Sequence, residues 1–104
     1  MENITEEKWV QLIETDEHFT ILDVRTPREC AEGIQKDALI LNFMDSKAFI
    51  DGLSSLDKTK THYVYCRSGN RSSQACMIMD QMGFEKTYNL LGGMINWKGD
   101  KVYP

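Results

Sequence analysis

Strand-like and helix-like stretches alternate along this chain, and several of the strand-like ones are apolar along their length instead of alternating with polar residues. Phe19-Thr20-Ile21-Leu22-Asp23-Val24, Ala38-Leu39-Ile40-Leu41-Asn42-Phe43, Thr61-His62-Tyr63-Val64-Tyr65 and Lys86-Thr87-Tyr88-Asn89-Leu90-Leu91 are rich in β-branched, aliphatic and aromatic residues. A strand with one wet face alternates, whereas a strand covered on both faces has no reason to. The pattern therefore predicts an α/β fold, a mainly parallel sheet with helices on both faces.

The intervening stretches fit that reading. Thr5 is placed to cap a first helix, with Glu6 and Glu7 in its first turn and Trp9, Leu12 and Ile13 on one face. Pro27 to Glu32 reads as a short helical turn begun by Pro27. Lys47 to Leu56 reads as a helix that Gly52 weakens by about 1 kcal/mol relative to alanine. Ser73 to Met82 reads as a helix ended by Gly83, and Gly92-Gly93 turns the chain into a last short helix carrying Ile95 and Trp97. Trp9, Trp97 and the Met77, Met79, Met82 group are assigned to the core.

With 104 residues and no linker-like or low-complexity run, the chain is expected to form one domain over 1–104. A net charge of -4 and a pI near 5.1 argue against nucleic acid as a partner. No apolar run approaches the ~20 residues that span a bilayer, so no membrane partner is expected. The N-terminal residues are acidic and lack the apolar core of a secretory signal. Three cysteines, Cys30, Cys66 and Cys76, make an odd set without close pairing, which points to a reducing, cytoplasmic setting. His18 and His62 have no metal-ligand spacing with them, and neither a metal nor a cofactor is expected.

The residues that carry chemistry are Cys66-Arg67-Ser68-Gly69-Asn70-Arg71-Ser72, between the strand ending at Tyr65 and the following helix. In parallel sheets ligands bind at the carboxyl ends of the strands, where Cys66 stands. A helix N-terminus offers unpaired N–H groups and a partial positive charge, and Arg67 and Arg71 add full charges. Each favours thiolate over thiol, and such settings lower a cysteine pKa from ~8.5 to between roughly 3.5 and 7.5. Arg67 and Arg71 are read as handles for an anionic substrate. The plainer reading makes Arg67 a solvated charge and Arg71 a helix-start residue paired with an acid. Ser68, Asn70 and Ser72 either line the pocket or, for Ser72, cap the helix. Gly69 fits a position needing close approach or positive φ. Cys76, between Ala75 and Met77, reads as a small buried hydrophobe. Cys30 is open as a resolving thiol.

These segments resemble the single-domain rhodaneses, sulfurtransferases that carry sulfane sulfur as a cysteine persulfide. Ile21 to Glu29 is similar to the family's first strand and loop, and Val64 to Ser72 to its active-site loop. Met82-Gly83-Phe84 and Leu90 to Trp97 resemble the end of the domain. The resemblance implies a three-layer α/β/α domain with a central, mainly parallel sheet, and it gives Asp23 and Arg25 an architectural ion pair with Glu29 near. One segment departs: where the family often has Gly-His-Ile, this chain reads Gly33-Ile34-Gln35-Lys36-Asp37-Ala38, with no histidine and with Asp37 in place of the usual later glycine.

The function implied is thiosulfate sulfurtransferase-like. Cys66 is the nucleophile, and Arg67, Ser68, Gly69, Asn70, Arg71 and Ser72 bind the substrate. Thiosulfate or a protein persulfide is the donor, and cyanide or a thiol the acceptor. The rival readings are a persulfide carrier or redox-sensing module serving a partner protein and, more remotely, a cysteine phosphatase or arsenate reductase. Those phosphatases place five residues between cysteine and arginine; here four, Arg67 to Asn70, separate Cys66 from Arg71. The shorter loop suits a sulfur attached to the cysteine better than a tetrahedral phosphoryl group.

Overall fold

The computed structural model describes residues 1–104. The elements run β1 (Glu2–Ile4), α1 (Glu6–Thr15), β2 (Phe19–Asp23), α2 (Pro27–Cys30), β3 (Leu39–Ile40), α3 (Ser46–Ser54), β4 (Thr61–Tyr65), α4 (Asn70–Gln81), β5 (Lys86–Leu90) and a 3-10 turn (Met94–Asn96). The strands form one five-stranded sheet in the order β1-β5-β4-β2-β3. Every pairing is parallel, with Ile21 opposite Tyr63, Val64 opposite Asn89 and Ile4 opposite Leu90.

Side chains on a strand point alternately to the two faces, so an apolar run feeds two cores. Leu22, Val24, Val64 and Cys66 join Phe49 and Leu53 of α3 and Ala75, Cys76 and Met79 of α4. Ile21, Tyr63, Tyr65, Tyr88 and Leu90 join Trp9 of α1 and Met94. The predicted α/β/α layering with helices on both faces is thus present. Trp9 anchors the second core: it is fully buried and meets Tyr63 and Tyr65 edge-on at centroid distances of 5.5 and 6.1 Å. Its indole N–H donates to Gln35 Oε1 at 3.0 Å, so the ring is buried without an orphaned donor.

Local chemistry sets the helix starts. Thr5 Oγ1 accepts the Lys8 N–H at 3.2 Å and caps α1. α2 begins with Pro27 and carries a reciprocal capping box between Thr26 and Glu29.

Several expectations are corrected. β1 has no counterpart in the sequence reading; it is an edge strand formed by pairing with β5. The apolar run Ala38 to Phe43 pairs only at Leu39–Ile40, and both residues are largely exposed. α3 runs from Ser46 to Ser54, short of Leu56. α4 starts at Asn70, three positions before Ser73, because Gly69 at φ 102° turns the chain straight into it. Among the methionines, Met79 is buried and Met82 packs beside the core, but Met77 is 54% exposed. Ile95 is 57% exposed as well, and Trp97 follows the 3-10 turn half-buried. Asp37 adopts φ 65°, and it alone among non-glycine residues has positive φ. The missing glycine of the departing segment is therefore a real backbone cost.

Candidate active site

Cys66 follows β4 directly, at the carboxyl end of the sheet, and is 1% exposed. Its carbonyl accepts the Met94 N–H at 3.0 Å, and the Arg67 carbonyl accepts the Ile95 N–H at 2.9 Å. The 3-10 turn thus takes two of the loop's acceptors and leaves its amides free to face the sulfur. Gly93 makes this approach possible: a Cβ there would lie 2.5 Å from Arg67 O and 2.6 Å from Cys66 O. Gly69 donates its N–H to Cys66 Sγ at 3.1 Å, and the Ser72 hydroxyl lies 3.3 Å from the same sulfur.

Burial pushes the Cys66 thiol pKa up, but the Ser72 hydroxyl and the backbone N–H groups of Ser72, Gly69 and Ser68 outweigh it, and the net shift is downward. The expected direction holds, and the N–H groups at the helix start, expected to favour the thiolate, are among its sources. The Ser72 hydroxyl, read as pocket lining or as a helix cap, adds the largest of the lowering hydrogen bonds.

The two loop arginines have different surroundings. Arg71 forms a fork with Glu29, its Nη1 and Nη2 each 2.8 Å from one carboxylate oxygen. That hydrogen bonding, against the opposing effect of burial, holds the Glu29 carboxyl down at about 2, with help from the Thr26 N–H. The plainer reading of Arg71, pairing with an acid, describes its geometry. Arg67 is exposed, and no ion pair engages it. It borders a polar cleft of about 220 Å³ together with Arg25, Glu32, Met94, Ile95 and Lys101. Lys101 arrives through the bridge between Ile34 and Val102 and packs across Gly33, a placement without a local signal in the sequence.

Asp23 and Arg25 form the buried pair expected of them. Arg25 Nη2 and Nε reach the carboxylate at 2.7 and 3.0 Å, and Nη2 also donates to Gly33 O at 2.7 Å. Glu29 meets Arg25 through its backbone carbonyl only; its carboxylate belongs to Arg71. Of the remaining loop residues, Ser68 and Asn70 are exposed, and Ser72 is fully buried in the first turn of α4. Ser72 does not cap the helix; Gly69 holds the cap position, and no side chain bonds there.

Asn89, on β5, is a site neighbour that sequence reading missed. Its Oδ1 lies 2.5 Å from Ser72 Oγ, and its amide N–H₂ donates to Gly69 O and Asn3 Oδ1. Cys30 has no such donor on its sulfur, and Cys76 has only the Thr87 side chain, which burial outweighs. Burial, with Asp23 beside it, pushes Cys30 up to about 12, and burial pushes Cys76 to about 12 as well. Neither is poised as a thiolate, so the resolving role left open for Cys30 finds no support.

Comparison with known proteins gives a consistent picture. The family model described as Rhodanese-like domain matches residues 5–100. YtwF of Bacillus subtilis is 40% identical over 88 residues, covering 85% of this chain and 82% of that protein. A sulfurtransferase of Allochromatium vinosum is 37% identical over 94 residues, covering 90% and 85%. More distant relatives bear other names: a tRNA uridine(34) hydroxylase of Pelagibacter ubique, of which the matched part is 31%, and YrkF of Bacillus subtilis, whose name proposes a sulfur-carrier role. A crystal structure of a rhodanese-like domain protein from Staphylococcus aureus superposes with a TM-score of 0.85 at 27% identity, covering 100% of this chain and 99% of the other. The chain belongs to the rhodanese-like domain family.

Proposed function

We propose that the chain moves sulfane sulfur from a donor such as thiosulfate to cyanide or a thiol through a persulfide on Cys66. One observation carries the reading: a sulfur enclosed by converging N–H and O–H donors at the carboxyl end of a parallel strand, with its pKa lowered despite burial. The thiolate attacks the outer sulfur of thiosulfate, the S–S bond of the donor breaks, and sulfite departs with the bonding pair. The negative charge then rests on the outer sulfur of the Cys66 persulfide. Cyanide takes that sulfur as thiocyanate, and the electron pair returns to Cys66 as thiolate. No general base is needed, because the loop already stabilises the anion, and the covalent relay predicts ping-pong kinetics.

Arg67, with Lys101 across the cleft, guides the anion toward the loop. Arg71 acts at one remove, tying the start of α4 to Glu29 and so to α2. Gly69 and Ser72 hold the nucleophile, and Ser68 and Asn70 form the exposed rim. The four-residue spacing from Cys66 to Arg71, and the commitment of Arg71 to a carboxylate, argue against a phosphoryl group held by the Arg71 fork. The carrier reading keeps the same Cys66 chemistry and draws its support from the similarity to YrkF, of which this chain spans 50%.

The test is intact-mass measurement after incubation with thiosulfate. A gain of one sulfur is expected in the wild type and in Cys30→Ser, and none in Cys66→Ser. Sulfur located on Cys30 or Cys76, or no gain at all, overturns the proposal. Slow turnover with thiosulfate beside fast loading from a protein persulfide selects the carrier reading.

A further inference from the structure

The hydroxyl of Ser72 has one hydrogen and two acceptors within reach, Cys66 Sγ at 3.3 Å and Asn89 Oδ1 at 2.5 Å. The orientation of the Asn89 amide is fixed from its other side. Its nitrogen donates to Asn3 Oδ1 at 2.9 Å and to Gly69 O at 3.2 Å, both acceptors, so the oxygen must face Ser72. Asn89 is 2% exposed and Ser72 fully buried, so no solvent replaces a missing donor. We propose that Asn89 is a positioning residue that competes with the Cys66 sulfur for the Ser72 proton and thereby sets how reactive the thiolate is.

The competition differs between the states of the cysteine. With Cys66 as a thiol, the Ser72 hydroxyl bonds to Asn89. When the thiol ionises, the sulfur becomes the stronger acceptor and the hydroxyl turns to it, leaving Asn89 Oδ1 without a donor in a buried place. That loss opposes ionisation. Once the outer sulfur is attached, the charge moves off Sγ and the hydroxyl is free to return to Asn89. Asn89 therefore penalises the resting thiolate but not the loaded persulfide, keeping the nucleophile more basic and more reactive than its donors alone would allow. Asn3 brings the edge strand β1 into the same network. Among the other charges near the sulfur, Arg71 favours the thiolate although it is paired with Glu29, Arg67 is exposed and Cys76 is neutral; none of them is changed by substituting Asn89.

This inference rests on Cys66 being the nucleophile, and it is tested without sulfur transfer. The rate of Cys66 alkylation by iodoacetamide is followed against pH, with labelled sites located by mass spectrometry. Asn89→Leu is expected to lower the Cys66 pKa by about one unit and the high-pH plateau rate about 3-fold. In a Ser72→Ala background, with no proton to compete for, Asn89→Leu is expected to leave both unchanged. Should Asn89→Leu not fold, Asn89→Asp keeps the size and raises the pKa, and that rise shrinks by at least half in Ser72→Ala. A pKa unmoved or raised by Asn89→Leu, or equal shifts with and without Ser72, overturns the proposal. Absence of a titrating Cys66 in the wild type instead overturns the assignment of the nucleophile.

Discussion

Cys66 and Cys76 stand ten positions apart in one structural unit, the first at the start of the loop that follows β4 and the second in the middle of α4. Both are shut off from solvent, at 1% and 0% exposure, and both belong to the same core. Their thiols are nevertheless shifted in opposite directions: Cys66 lies below its ordinary value, and Cys76 is pushed up to about 12. The difference is in the neighbours. Cys76 sits inside the helix, where its own S–H lies 3.7 Å from the Tyr88 carbonyl and, among hydrogen bonds, only that of the Thr87 side chain lowers its pKa, against a larger effect of burial. Cys66 sits where a loop turns its amides inward and a buried hydroxyl faces the sulfur. Burial alone disfavours the thiolate; burial with converging donors favours it.

The strongest way to break this contrast is to disturb what turns the amides inward. Gly93→Ala would press a methyl group into the carbonyls of Arg67 and Cys66. Backbone must shift, and the donors lose their aim. Persulfide formation should fall on the order of 100-fold, the cost typical of losing an aligned N–H donor. Cys66 should at the same time titrate closer to Cys76, as read by the pH dependence of alkylation. Unchanged kinetics in a folded Gly93→Ala protein would remove the 3-10 turn from the account.

A second measurement sharpens the contrast by comparing labelling rates in the wild type. At neutral pH, iodoacetamide should modify Cys66 at least about 100-fold faster than Cys30 or Cys76, because only the thiolate reacts. Peptide mapping over time gives the three rates. Comparable labelling of Cys30 would reopen its resolving role.

Next, the arginines separate charge from hydrogen bonding. Arg67→Ala should raise the KM for thiosulfate about 10-fold, the equivalent of ~1.4 kcal/mol, leave kcat nearly unchanged, and lessen the salt dependence. Arg71→Ala, by contrast, leaves Glu29 without its fork, so its first consequence should be a lower Tm in a thermal melt.

The pH dependence of stability is smaller still. Glu29 is held at about 2 by Arg71, well below an ordinary carboxyl, so its contribution is present above about 4.5 and fades as pH falls toward about 2. His62 is fully buried and its pKa is lowered, chiefly by that burial; Nε2 is 2.8 Å from the Asp57 carbonyl, and Nδ1 has no partner. The unfolded chain binds this proton first, so stability should begin to fall as pH drops below about 6.5. Urea midpoints between pH 8 and pH 2 should show both steps, with the upper one absent in His62→Gln. The least effect belongs to Asp37→Gly. Relief of the left-handed backbone is offset by the greater freedom of glycine in the unfolded chain, so the change should stay within about 1 kcal/mol.

Much of this was legible in the residues. Periods of apolar residues placed β2, β4 and β5, the Thr5 cap placed α1 and Pro27 placed α2, because those signals are local: a threonine hydroxyl reaches only three residues along the chain. The motif from Cys66 to Ser72 marked the loop, and the family resemblance followed from its order among flanking motifs. What had no local signal went unread. Glu2-Asn3-Ile4 is a strand only because β5 lies beside it, and Leu39–Ile40 is short because β2 itself ends at Asp23, the residue opposite Ile40.

The site divides the same way. From the sequence alone came Cys66 as the proposed nucleophile, the direction of its ionisation and the sheet end that carries it, since strand, glycine and helix start are consecutive in the chain. Which arginine is free came only from the tertiary structure, because the partner of Arg71 is 42 residues away. So did the Lys101 flank of the cleft and the hold of Asn89 on Ser72, which join segments that nothing but the folded sheet brings together. A hydrogen bond depends on tenths of an ångström between groups distant in the chain, and the packing of the sheet sets that distance.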